Sequence, residues 1–179
     1  MIIVGHRMNT PPDTLRILGI DASLRSTGLG IVEAEGSRMR ALWHGRVRNP
    51  PTRPLSACLV ALQDAVCEQI AAYQPQAAAI EGVFFSKNIH TTLILGHARG
   101  VLIAQCARQG IPVYEYEPRR VKQAVVGFGG AVKDQMQRMV MTLLNLPELP
   151  QDDEADALAL AICHLHNRTR LRLSGIEPL

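Results

Sequence analysis

Two short apolar runs in this chain each stop on a carboxylate: Ile17-Leu18-Gly19-Ile20 is followed by Asp21, and Ala77-Ala78-Ala79-Ile80 by Glu81. An apolar run without alternation reads as a strand buried on both faces, which demands helices above and below a sheet. The acid that ends such a strand sits at the boundary of a core, where an unpaired charge is expensive and something must neutralise it. The rest of the chain can supply the layers. Residues 29–32 read as a second strand after a turn at 23–28. Residues 38–48 read as a third, with Arg38, Arg40, His44, Arg46 and Arg48 on even positions and Met39, Ala41, Trp43 and Val47 on odd ones, a pattern with one side buried. Leu55, Cys58, Leu62, Val66, Ile70 and Tyr73 recur at helical spacing. Further helices are predicted over 88–109, 118–125, 131–145 and 152–166, strands over 77–80 and 111–114, and a flexible break at Gly127-Phe128-Gly129-Gly130. Strands first, then helix–strand alternation, then terminal helices predict an α/β fold with a mixed β-sheet flanked by α-helices. The 179 residues suffice for one core and not two. That core is expected over residues 15–167, between an N-terminal tail (1–14) and a C-terminal tail (168–179).

The formal net charge is only +3, which neither requires nor excludes a nucleic acid partner; its distribution says more. Residues 36–57 hold five arginines and no acid, whereas residues 141–167 hold five acids and no Lys or Arg. Between Lys87 and Val140, eight basic residues face three acidic ones. A basic middle thus precedes an acidic knot at Asp152, Asp153, Glu154 and Asp156. Taken alone, that knot is explained as an acid-rich first helical turn favoured by the helix dipole.

Combined with Asp21 and Glu81 it suggests more. Asp153 and Asp156 are three apart and project from one face of a helix, and strand ends are where α/β sheets build sites. Hard carboxylate oxygens of this kind suit Mg²⁺ or Mn²⁺, and two such ions a few Å apart activate a water and stabilise the leaving oxygen of a phosphodiester. Each acid singly is also explained as a helix cap or a solvated group, but that account weakens for the whole set.

The chain resembles the RuvC family of Holliday-junction resolvases, within the ribonuclease H-like nucleases, over about residues 15–167. The resemblance rests on Leu18-Gly19-Ile20-Asp21 with Arg25 and Gly28, on Ala79-Ile80-Glu81-Gly82-Val83-Phe84 with Lys87-Asn88, and on Leu95-Gly96-His97-Ala98-Arg99-Gly100. It continues through Val121-Lys122-Gln123-Ala124-Val125-Val126-Gly127 and closes with Asp153-Glu154-Ala155-Asp156-Ala157-Leu158-Ala159. It implies a ribonuclease H-like fold on a five-stranded sheet, and a crossover junction endodeoxyribonuclease that nicks two strands symmetrically in DNA recombination and repair. The implied products carry 5′-phosphate and 3′-hydroxyl ends. Asp21, Glu81, Asp153 and Asp156 would be the catalytic, metal-binding acids, holding two Mg²⁺ (or Mn²⁺) ions, with Asp152 and Glu154 exposed and secondary. Lys122 and Lys133 would bind DNA, as would Lys87 and the aromatic Phe84, with Phe85 packing inward. The implied partners are a four-way DNA junction, a second copy of the chain and the RuvA and RuvB branch-migration proteins. Two departures stand out: Ala22-Ser23 where the family has Pro-Gly, and Gly82 where many relatives carry a polar residue.

Other classes fare worse. The four cysteines form no C-x-x-C pair and read as small buried hydrophobes rather than a zinc site or disulfide framework. No uninterrupted apolar run approaches a membrane span, and Met1-Ile2-Ile3-Val4 is too short for a secretory signal, which points to a cytoplasmic protein. Asp21-x-Ser-x-Arg-x-Thr-Gly also looks a little like the phosphate loop of actin-like nucleotide-binding proteins, but the chain is too short for both of their lobes. A non-catalytic branched-DNA-binding protein is the other alternative, and it would gain nothing from carboxylates facing phosphates. Cys163-His164-x-His166 is read as histidines in a helix's last turn, not a metal site. Glycines in the small-residue helix at 88–109 suggest close approach to the sheet or to a partner subunit. Because one acid set makes one nick and a junction has two-fold symmetry, that helix is the candidate dimer interface. Sedimentation at micromolar concentration is expected to show a dimer; a monomer there would count against the pairing.

Overall fold

The computed structural model describes residues 14–82, 88–174 and 177–179. The elements are β1 (Thr14–Asp21), β2 (Ser26–Glu35), β3 (Arg38–Arg48), α1 (Leu55–Tyr73), β4 (Ala77–Glu81), α2 (Ile89–Arg108), β5 (Val113–Tyr116), α3 (Pro118–Val126), α4 (Lys133–Leu144) and α5 (Asp152–Ser174). They follow the sequence reading closely, with one larger difference: α5 runs past His166 to Ser174, through much of the segment expected as a C-terminal tail. The Leu179 N–H then donates to the Val113 carbonyl (2.9 Å), so the end of the chain lies against β5. The expected N-terminal tail lies outside the described residues except for Thr14, which already belongs to β1.

The five strands form one sheet of order β3-β2-β1-β4-β5, in which β1–β2 and β2–β3 pair antiparallel and β1–β4 and β4–β5 pair parallel. Alternation sends Leu18, Ile20, Leu29, Ile31, Ala78 and Ile80 to the face covered by α1 and α2. It sends Ile17, Val32, Ala34, Ala77 and Ala79 to the face covered by α3, α4 and α5. The same parity puts Asp21 and Glu81 on the α5 face. Alone among the described helices, α1 has the length and apolarity of a membrane span. Its apolar sequence is broken by Gln63, Asp64, Glu68 and Gln69, and Cys58, Leu62, Val66 and Ile70 pack into the core, as an amphipathic helix of a layered domain does.

α5 lies very close to the sheet. A Cβ added at Gly19 would stand 1.8 Å from the Ala157 carbonyl oxygen, and one at Gly28 would stand 1.8 Å from that of Asp153. Only glycine permits these approaches, and the alanine-built β4 keeps the same face shallow. With α3 and α4 over its outer side, α5 is buried all round from Ala157 to Cys163, which explains a stretch without helical amphipathicity.

β3 corrects the sequence reading. The pairing skips Leu42: Ile31 faces Trp43 but Val32 faces Ala41. This β-bulge reverses the side-chain parity, so the alternating arginines do not share one basic face. Arg40 joins Arg16 on Glu33 (2.6 and 2.8 Å) on the α1 side, while His44 and Arg46 turn towards α5, where they meet Glu154. The three cysteines Cys58, Cys106 and Cys163 are buried, as expected, and Cys67 is half-buried.

The α5 contact makes a direct prediction. Gly19→Ala should lower the urea midpoint by the equivalent of about 1–3 kcal/mol or more, because a methyl group would have to displace helix backbone rather than a side chain. An unchanged midpoint would place α5 farther from β1 than described here.

Candidate functional site

β1 and β4 are neighbouring parallel strands in the register Ile20↔Ile80, so Asp21 and Glu81, the next residues, emerge side by side from their C-terminal ends. α5 crosses the same face, and its second turn brings Asp156 to them. Asp21, Glu81 and Asp156 line one cleft together with Lys122 from α3 and Lys133 from the start of α4, between apolar walls that include Val121, Met136 and Leu160. The turn entering β2 from Asp21, where Ala22-Ser23 replaces Pro-Gly, is closed by buried Thr27: its Oγ1 accepts from the Ser23 N–H and donates to the Ser23 carbonyl. Arg25 pins this turn to the β3–α1 loop by donating to the Pro50 carbonyl (2.7 Å).

Carboxylates so placed repel one another in a medium poorer than water. Burial, followed by the charges of Asp156, Glu81 and Asp153, pushes Asp21 up to about 7, with only Lys133 opposing. Burial and Asp156 raise Glu81, against Arg99 and Lys122. Burial also raises Asp156, against Lys133 and Lys122 and with Asp152 and Asp153 adding to it. The site is short of positive charge. Its donors are hard oxygens facing one cleft, which fits a hard divalent cation. Among the described residues, however, no three acid, histidine or cysteine side chains already stand as a cage around an ion.

The acidic knot is not a uniform patch. Asp152 is exposed and accepts from Lys133 (3.0 Å) and Gln137 (2.8 Å). Asp153 does not line the cleft with the other three acids: it accepts a hydrogen bond from the Ser26 hydroxyl and lies 3.9 Å from Arg46. Glu154, expected to be exposed, is largely buried between His44 (2.8 Å) and Arg46 (3.6 Å). The sequence reading could not find these partners because the bulge at Leu42 decides which β3 side chains face α5.

Lys122 and Lys133 are brought to the cleft as expected; Lys87 and Phe84, like Phe85, lie outside the described residues. Arg99 carried no role in the sequence reading beyond its place in a motif. It is 7% exposed and donates to the Glu81 carbonyl oxygen and to Glu115 (2.5 Å), so α2 grips the end of β4. Phe128, on the loop that leads to Lys133, is 65% exposed. His164 is no last-turn residue, since α5 continues beyond it. It is buried with Nδ1 2.9 Å from the Tyr116 hydroxyl, while His166 Nδ1 lies 2.9 Å from the Ala124 carbonyl oxygen.

A mixed five-stranded sheet with acids at the ends of two adjacent parallel strands, and another on a helix laid across them, is the ribonuclease H-like architecture of junction resolvases. The sequence matches the family model for the crossover junction endodeoxyribonuclease RuvC over residues 17–164. It is 48% identical over 158 residues to the crossover junction endodeoxyribonuclease RuvC of Methylobacillus flagellatus, covering 86% of this chain and 88% of that protein. The fold is similar to Thermus thermophilus RuvC (TM-score 0.81, 32% identity, 92% and 100% coverage). It is also similar to the same organism's RuvC in complex with a Holliday junction substrate (TM-score 0.82, 30% identity, the same coverage). The chain belongs to the RuvC family.

The raised carboxylates imply a pH signature in the absence of divalent cations. Asp21 binds its proton more tightly folded (about 7) than unfolded (near 3.8), so the folded protein loses stability as pH rises between those values. In EDTA, Asp21→Asn should flatten that slope and be more stable than wild type at pH 8 by about 2 kcal/mol. A variant less stable than wild type at pH 8 would show that Asp21 is not under repulsion.

Proposed function

We propose that the cleft at the ends of β1 and β4 is the nicking centre of this RuvC-family endonuclease. The observation that carries this reading is the convergence of Asp21, Glu81 and Asp156 on one cleft, where burial and then the charges of Asp156 and Glu81 push Asp21 up to about 7 and Lys133 opposes them only in part. Asp21, Glu81 and Asp156 would hold divalent metal, Mg²⁺ or Mn²⁺, as a pair of ions with Asp153 as the fourth acid. When bound, such ions supply charge stabilisation to a phosphodiester and lower the pKa of water. The chain's own part is to hold hard oxygens on rigid strand ends and on a helix that glycines let approach. Arg99 fixes the Glu81 backbone.

Lys122 and Lys133 flank the acids, so a strand drawn to them would lay its phosphate over the carboxylates. Phe84 and Lys87 are further proposed DNA contacts, by the family resemblance alone, and the exposed ring of Phe128 offers a surface for stacking on unpaired bases. The substrate is a four-way junction, cut by paired symmetric nicks in the cytoplasm, with the RuvA and RuvB branch-migration proteins as partners.

A two-fold pair of chains is the economical way to make two symmetric nicks. On α2, Ile89 and Leu93 are exposed (76% and 58%), and the stripe continues through Gly96 and Gly100, where an added Cβ would meet nothing within 4 Å. Among the described residues nothing makes the close approach expected of these glycines, which supports α2 as the homodimer interface.

The test is cleavage of a mobile four-way junction beside linear duplex, in Mg²⁺ and in EDTA. Asp21→Asn should reduce nicking by at least about 10³-fold while leaving junction binding within a few-fold, since it removes an acid and no phosphate contact. Wild-type cutting by this variant would sink the site assignment.

A further inference from the structure

Asp153 is set apart from the other acids by three features of β2 and β3. The Ser26 hydroxyl donates to its Oδ2, and Arg46 Nη1 lies 3.9 Å from the same oxygen. The Arg46 guanidinium is itself shared with Glu154, whose other oxygen is 2.8 Å from His44 Nδ1. The bulge at Leu42 puts His44 and Arg46 on this face, and Gly28, paired with Arg46, lets the Asp153 backbone approach β2 closely enough for Ser26 to reach. Asp153, Arg46 and Glu154 are 26%, 21% and 15% exposed, so these contacts are partly shielded from water. A carboxylate so engaged has fewer lone pairs to offer the cleft, and four acids converging there without a cation would repel more strongly than three.

We propose that Ser26 and Arg46 form a latch that holds Asp153 away from the cation cleft in the DNA-free protein, so that the free chain offers Asp21, Glu81 and Asp156 alone. The latch opens when a strand phosphate draws the Arg46 guanidinium to itself, as a bidentate Arg–phosphate pair favours. Asp153 then turns to the cleft and completes the set on which a second cation depends. Loading of the second ion is thereby tied to the presence of substrate. Ser26 and Arg46 are positioning residues, acting through Asp153. The inference rests on the reading of the cleft as a cation site.

The test is cation binding without catalysis: titration of Mn²⁺, followed by electron paramagnetic resonance and calorimetry, into wild type, Ser26→Ala, Arg46→Lys, Asp153→Asn and Asp21→Asn, each with and without a four-way junction whose backbone linkages are chemically modified to resist cleavage. Without DNA, wild type should bind one ion well and a second only weakly. Ser26→Ala changes no charge, so it separates a latch from simple electrostatics. It should tighten the second ion about tenfold in the DNA-free protein and change little on the junction. Arg46→Lys, which keeps the charge and loses the planar fork, should do the same more weakly, and Asp153→Asn should remove the second ion in every background. If Ser26→Ala leaves DNA-free binding as in wild type, or weakens it, the latch is overturned. Asp21→Asn is the separate control: if it leaves the first ion in place, the cation reading of the cleft fails instead.

Discussion

The contact on which this structure depends is the seating of α5 against β1 and β2, where helix carbonyls occupy the space that side chains at Gly19 and Gly28 would fill. Helices normally pack on sheets through interlocking side chains, which leaves their polar ends well clear of the strands. Here the absence of two Cβ atoms draws the backbone of Asp153 and Ala157 onto the sheet. Asp156, in the intervening turn, therefore stands beside two strand ends that already carry acids. The rest of the architecture supports this approach: β4 is nearly all alanine on that face, and α3 and α4 close over the outer side of α5. The acids are consequently placed by the most deeply buried elements of the domain rather than by loops.

That placement has an electrostatic cost which the total charge hides. The chain sums to +3, yet its cleft holds buried carboxylates whose mutual repulsion is opposed only in part, by lysines at the rim and by Arg99 beside Glu81. The neighbouring acids show the alternative. Asp152, Asp153 and Glu154 each have a partner of their own, from α4, from β2 and from β3 respectively. Had the three cleft acids been structural, the same chain had basic residues at hand to pair with them. Leaving them only partly compensated, at some loss of stability, fits the proposed cation site.

Much of this was legible beforehand. The apolar runs ending at Asp21 and Glu81 located two strands and the candidate cleft their acids share, because a buried strand ending on an acid has few explanations. Helix limits followed from periodicity, except where α5 is buried all round and no amphipathic pattern marks its end. What escaped the sequence were relations decided by backbone detail. One skipped residue at Leu42 turned an apparent basic face into two groups on opposite sides of the sheet. Glu154 was expected at the surface because an acid run at a helix start usually is, and only the reversed parity of β3 brings His44 to it. Arg99 sat inside a recognisable motif and Ser26 between motif residues, but nothing in their spacing indicates a carbonyl and a carboxylate as their partners.

Arg99 bears on how two such centres would act together. α2 presents it inward to the Glu81 carbonyl and to Glu115, and on its other side carries Leu93, Gly96 and Gly100 to solvent. The body of one helix, roughly 10 Å across, therefore separates the proposed dimer face from the strand end that carries Glu81. In a two-fold pair joined through α2, the distance between the two clefts is fixed by helix and sheet, with no hinge between interface and carboxylate. A junction presents its two scissile phosphates at symmetry-related positions, and a rigid spacer suits two cuts that must fall on matching strands.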